Sequence, residues 1–181
     1  MKKVLVSIVR ELSSFFFIFF KPRTLFNRIK IKPSPFMPIV IFLSVVVLTI
    51  FQKISLESKA LKIVFFSLLV FLFYLFILFL KSSIILIGIK LLKGNSDFDL
   101  LFVAFTYSLA PFIIAYSFRW IFPLDPFHSG NIAINVLIML LARIYYIILS
   151  ILAISILANF SYGKSILAFL PWLIIWFFLG L

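Results

Sequence analysis

The sequence predicts an all-α membrane protein: a bundle of five transmembrane helices preceded by an amphipathic interfacial helix. Three observations carry that prediction. Of the 181 residues, 65% are hydrophobic and 12% are charged, against about 45–50% and about 25% in soluble domains; mean hydropathy is +1.31. Uncharged runs of about the length that crosses a hydrocarbon core recur along the chain. The charge is also lopsided, with 17 Lys+Arg against 5 Asp+Glu for a net +12. A soluble globular domain is excluded, because its surface would be mostly apolar, and so is disorder, which needs low hydrophobicity. Without cysteine there is no disulfide framework, thiolate metal site, catalytic thiol or palmitoylation site.

Residues 1–32 form a basic amphipathic cytoplasmic segment. Lys3, Ser7, Arg10, Glu11 and Ser14 share one helical face, and Leu5, Ile8, Val9, Leu12, Phe15, Phe16 and Phe19 fill the opposite side. That pattern predicts a helix lying in the membrane plane. A secretory signal is excluded, because Lys21-Pro22-Arg23 stands where a small-x-small cleavage site belongs. Residues 33–181 form the five-span domain. The runs 33–52, 63–80, 100–118 and 165–181 carry no charge, and 126–163 carries only Arg143 with His128 neutral. The second run predicts a helix continuing to residue 92, with Lys81 near the interface and Lys90 and Lys93 at its cationic end. The fourth run is too long for one span. Asn159 and Gly163 close it, leaving a tilted helix over 132–158; the alternative is a short interfacial helix before Arg143 and a span after it.

Positive charge sets the expected topology. Eight cations precede Pro33: Lys2, Lys3, Arg10, Lys21, Arg23, Arg28, Lys30 and Lys32. With Lys90, Lys93 and Lys164 they make eleven on the N-terminal side, against Lys53, Lys59, Lys62 and Arg119 on the other. That asymmetry predicts a cytoplasmic N-terminus and an outside C-terminus. Basic residues leading into an apolar run mark an anionic membrane leaflet rather than nucleic acid. The excess of Phe, Ile and Lys fits an AT-rich genome, and with it a prokaryotic plasma membrane.

Little in the chain supports catalysis. His128 is the sole histidine. Its loop with Asp125 falls short of a metal site and reads as a polar turn closed by Pro123, Pro126 and Gly130. Asp97 and Asp99 cap the third span. No acid lies within a span, so a carboxylate proton relay is missing. No catalytic residue, metal or cofactor is expected. The anomaly is Arg143, at the centre of the fourth span. Asn135, Arg143, Tyr146 and Ser150 share one helical face. Pro111 and Pro171 interrupt the third and fifth spans and free the carbonyls of Tyr107 and Leu167. Either Arg143 snorkels to the interface, or it faces the third helix at Tyr107, Ser108 and Pro111, forming an intramembrane polar cluster.

Three stretches resemble the Yip family, the Rab-GTPase-interacting type of multispanning membrane protein. Phe20-Lys21-Pro22 with Phe26, Ile29 and Pro33 is similar to the family's entry segment. Lys93-Gly94-Asn95-Ser96-Asp97-Phe98 followed by Tyr107-Ser108-Leu109-Ala110-Pro111 is similar to its Gly-rich turn, aromatic and Tyr-Ser-x-x-Pro helix. Residues 159–165 with Ala168 resemble the loop into the last span, with Asn159 where the family often has His and Lys164-Ser165 where it often has Lys-Ala. The resemblance implies a role in membrane trafficking, with small-GTPase binding by analogy alone, since a short basic head offers no folded docking domain. The expected function is non-enzymatic membrane organisation through membrane lipids, a membrane-protein partner or self-association. The alternative is a small transporter or permease-like subunit built around kinked helices three and five. A charged cavity at the midplane favours the transporter; a closed apolar bundle favours the scaffold.

Overall fold

The computed structural model describes residues 13, 15–34, 36–53, 60–121 and 129–178. Its helices are α1 (Pro22–Ile31), α2 (Phe36–Lys53), α3 (Ala60–Leu91), α4 (Phe98–Ser108), α5 (Ala110–Ile121), α6 (Ser129–Leu157) and α7 (Tyr162–Phe178). Residues 15–20 are also helical, and the described residues contain no strand. Three stretches are long and apolar enough to cross a membrane: Val64–Leu91, Phe98–Arg119 and Ile132–Leu157. Phe36–Gln52 and Tyr162–Phe178 are apolar but shorter, at the lower end of the range of about 17–25 residues that spanning helices occupy.

The long helices α3 and α6 organise the bundle. α3 packs against α2, α4 and α7, while α6 packs against α1, α4, α5 and α7. Leu72, Phe76, Val136, Leu140, Ile166 and Ile174 face outward. An apolar exterior of this kind belongs in lipid. α3 and α7 touch closely at Gly88, where an added Cβ would meet the Ala168 carbonyl oxygen at 2.9 Å. α6 runs unbroken through Arg143 from Ser129, three residues before the expected start, and no separate interfacial helix forms there.

The third span is two helices, divided at Leu109. Pro111 has no N–H to give the Tyr107 carbonyl, and the ladder tightens to i−3 bonds from Leu109 to Thr106 (3.1 Å) and from Phe112 to Leu109 (2.9 Å). Thr106 and Ser108 donate to the Phe102 and Ala104 carbonyls four residues back, a bonding that bends helices. By contrast, Pro171 lies inside α7 without ending it.

α1 is a helix the sequence reading did not separate from the basic segment. Pro22 occupies its first turn, where the missing N–H costs nothing. Leu25, Phe26 and Ile29 are its buried residues, an i, i+1, i+4 spacing that makes one stripe. That stripe packs on α6 and α4. The predicted polar face of residues 3–14 and most of its apolar partner lie outside the described residues. Within 15–20, Ile18 is fully buried and Phe16 is 61% exposed, and the Tyr145 hydroxyl of α6 donates to the Ile18 carbonyl at 2.8 Å. This stretch is therefore fastened to the bundle.

Candidate functional site

One end of the molecule gathers the basic segment and two loops. α3 ends in a Schellman motif: Lys93 takes φ 60°, Gly94 N–H bonds the Ile89 carbonyl at 2.9 Å and Lys93 N–H the Lys90 carbonyl at 3.0 Å. α6 ends similarly, with Asn159 at φ 55° and Phe160 N–H on the Ser155 carbonyl at 3.0 Å. The two turns meet, because the Phe160 ring fills the place a Cβ on Gly94 would take. α1 is tied to the α6 turn and to the start of α7. The Lys30 ammonium donates to the Ile156 carbonyl at 2.9 Å and to Asn159 Oδ1 at 2.7 Å, which places a cation at the negative end of the α6 dipole. The Arg23 guanidinium donates to the Tyr162 hydroxyl, and the Arg28 guanidinium lies 4.7 Å over the Phe17 ring. Lys21, Arg23, Arg28, Lys30, Lys32, Lys90, Lys93 and Lys164 thus belong to one end, with Asp97 and Asp99 as the acids among the described residues.

The second polar constellation is inside the bundle. Lys81 is fully buried. Its ammonium donates to Ser150 Oγ at 2.8 Å and lies 3.9 Å over the Tyr146 ring and 4.1 Å over the Phe105 ring. The Ser150 hydroxyl in turn donates to the Tyr146 carbonyl at 2.8 Å. The sequence placed Lys81 near the interface; the structure instead turns it between α4, α6 and α7, where aromatic faces and a hydroxyl replace headgroup contacts. The signal was present in the chain: the apolar run Ile84-Ile85-Leu86-Ile87 follows Lys81, and α3 continues ten residues, about 15 Å, beyond it.

A cavity of about 120 Å³ adjoins this lysine, lined by Tyr74, Leu78, Lys81, Leu109, Phe112, Tyr116, Arg143, Tyr146, Trp172 and Trp176 among others. A hydroxyl chain borders it. Thr49 Oγ1 and the Tyr74 hydroxyl lie 3.2 Å apart, as do the Tyr74 and Tyr116 hydroxyls. Gln52 Nε2 donates to the Tyr116 carbonyl at 3.0 Å.

The predicted cluster distributes over this region unevenly. Arg143 sits at the midpoint of α6, on the cavity wall, with its guanidinium 5.6 Å over the Trp176 ring of α7. Its cavity neighbours from the third span are Leu109, Phe112 and Tyr116. Tyr146 and Ser150 of the same helix face serve Lys81, and Asn135 is buried. Tyr107, Ser108 and Pro111 are buried in α4 and α5 and are not on the cavity wall; Ser108 is satisfied within its own helix. Asp125 and His128 lie outside the described residues. Among the described residues no three His, Cys, Asp or Glu side chains gather to hold a metal.

Comparison with curated proteins and with solved structures finds no match. A family model does match: the Yip1 domain, over residues 16–181. That span takes in α1 and its anchoring cations, both Schellman turns and the Lys81 core, so the chain belongs to the Yip1 domain family and is an integral, multi-pass membrane protein of Yip type.

Proposed function

We propose that this protein is a non-enzymatic membrane organiser with five spans, an N-terminus in the cytoplasm and a C-terminus outside a prokaryotic plasma membrane. Its basic end holds an anionic leaflet or a membrane-protein partner. The observation that carries this reading is α1, fastened across the ends of α4 and α6 with its charges outward: Arg23, Arg28 and Lys32 are exposed while Leu25, Phe26 and Ile29 are buried. Near an anionic surface each cation contributes about 1 kcal/mol, less with screening. α2 and α7 complete the five spans by shortening the hydrophobic thickness they cross. Small-GTPase binding rests on family analogy alone.

Proteoliposomes carrying the full chain with the basic end outward test the reading. They should capture anionic vesicles and not neutral ones, salt should release them, and replacing Arg23, Arg28 and Lys32 with Gln should abolish capture. Equal capture of neutral vesicles refutes it. Because the chain has no cysteine, single cysteines report topology against an impermeant maleimide. Positions 32, 93 and 164 should label from the cytoplasm and 53 and 119 from outside; labelling of 32 and 119 from the same side would refute the five-span arrangement.

A second reading, the small transporter, is favoured by the cavity with Lys81 and Arg143 on its wall. Against it stands the packing between Lys81 and the basic end, where Ile85, Ile89, Leu101 and Leu157 are buried. A transporter would have to open that plug, so linking α3 to α7 there, where Gly88 lies against Ala168, by a disulfide should stop transport and leave a membrane organiser unaffected.

A further inference from the structure

The Lys81–Arg143 cavity has an unusual wall. Lys81 brings three N–H donors, of which one goes to Ser150. Arg143 brings a planar guanidinium with five. The Trp172 indole N–H is fully buried and makes no hydrogen bond of ordinary geometry. No acid lies on the wall; the described acids, Asp97 and Asp99, stand at the start of α4. A buried cation without a counter-charge is costly; here the buried Lys81 and the exposed Arg143 line one space with no acid between them. A site with that inventory takes an oxyanion.

The cavity's two ends differ. Lys81, Leu78 and Trp172 at its inner end are buried, whereas Phe73 and Arg143 are exposed. Phe73 is 50% exposed and continues into the outward-facing Leu69, Leu72 and Phe76 of α3. In a membrane that surface meets acyl chains. The mouth therefore opens sideways into the bilayer, and about 120 Å³ holds a headgroup rather than a chain.

We propose that this cavity is a binding site for an anionic amphiphile, a carboxylate or phosphate head on an acyl tail, with the head between Lys81, Arg143 and the Trp172 N–H and the tail leaving past Phe73. The occupant supplies the counter-charge that the helices lack. The site is independent of the basic end and of the organising role proposed for it.

Native mass spectrometry of the full chain in non-ionic detergent at high salt tests this, with tryptophan emission as a second readout. Oleate is compared with oleyl alcohol, phosphatidate with phosphatidylcholine, and inorganic phosphate is added alone. An anionic head should bind about tenfold or more tightly than the neutral head on the same tail. Arg143→Leu and Lys81→Met should each lower that preference about tenfold, while Arg23→Gln with Lys32→Gln should leave it unchanged. Arg143 is exposed, so Arg143→Leu leaves the packed core in place and keeps the test decisive if Lys81→Met does not fold. Equal binding of oleate and oleyl alcohol with equal binding of phosphatidate and phosphatidylcholine, or a preference lost with the basic-end substitutions rather than the cavity ones, overturns the proposal. Competition by inorganic phosphate at the same concentration as phosphatidate would overturn the amphiphile in favour of a free anion.

Discussion

The Lys81 ammonium and the Ser150 hydroxyl, 69 positions apart in sequence, join α3 to α6 through a 2.8 Å hydrogen bond in the buried centre of the bundle. The bond is asymmetric in its consequences. Ser150→Ala leaves a buried ammonium donor without its oxygen, at a cost of about 1–3 kcal/mol. Lys81→Met removes the charge and keeps the stem's volume, and Ser150 retains its own bond to the Tyr146 carbonyl; exchanging a buried charge for an apolar chain is often neutral or stabilising. Thermal melts in neutral detergent should therefore rank Ser150→Ala below the parent and Lys81→Met level with it or above. Adding Lys81→Met to Ser150→Ala should recover most of the loss. Simple additivity of the two would show that the bond contributes nothing to folding.

How much of this was readable beforehand depends on which forces act locally. The helical class and the run boundaries follow from uncharged length, which the bilayer imposes on any single segment. The break at Leu109 also follows locally, from Pro111. The position of Lys81 does not, because a lysine in an apolar run is equally suited to snorkelling or to an aromatic cage, and the choice is made by Tyr146, Phe105 and Ser150 from other helices. Arg143 stands out in the sequence by its depth, whereas its neighbours, Leu109, Phe112 and Tyr116 of the third span and Trp176 of α7, come from other helices. α1 is less legible for a different reason: cations dominate its composition, although Leu25, Phe26 and Ile29 make one apolar stripe.

Lys30 closes the C-terminus of α6 through the Ile156 carbonyl and Asn159 Oδ1. Carbonyls in the last turn have no intrahelical donor, so this ammonium replaces water at a half-buried helix end. Lys30→Met should cost about 1 kcal/mol, combining one charge-assisted bond with the dipole interaction. Hydrogen exchange should locate the loss in the last turn of α6 and in α1. Raised salt should narrow the difference between Lys30→Met and the parent, since the dipole contribution is screened.

The phenols of Tyr74 and Tyr116 link α3 to α5, with Thr49 of α2 on the far side of Tyr74. Tyr116→Phe should destabilise by about 1 kcal/mol. Tyr74→Phe should cost more, because it removes the hydroxyl that meets both Tyr116 and Thr49, although Thr49 keeps its own bond to the Val45 carbonyl. The double variant should fall short of the sum, as expected for groups in one network. Additive losses in denaturation would mean that the hydroxyls act separately.

Three glycines give a graded test of packing at the basic end. A methyl on Gly88 would stand 2.9 Å from the Ala168 carbonyl oxygen and 3.3 Å from its Cα. Both obstacles are backbone, so α3 and α7 must separate. A methyl on Gly94 would enter the Phe160 ring, a side chain that can turn, and would also approach Ile89 Cγ2 at 2.9 Å. At Gly163 nothing lies within 4 Å, and α7 there gains from alanine's better helix propensity, by up to about 1 kcal/mol. Overpacking costs about 1–3 kcal/mol. Gly88→Ala should therefore be the most damaging, Gly94→Ala intermediate, and Gly163→Ala neutral or stabilising. Phe160→Leu should rescue Gly94→Ala in part and leave Gly88→Ala unimproved. Melting temperatures of these five variants and the parent in one detergent decide it. If Gly163→Ala were as harmful as Gly88→Ala, the close approach of α3 to α7 would not be what limits the size of residue 88.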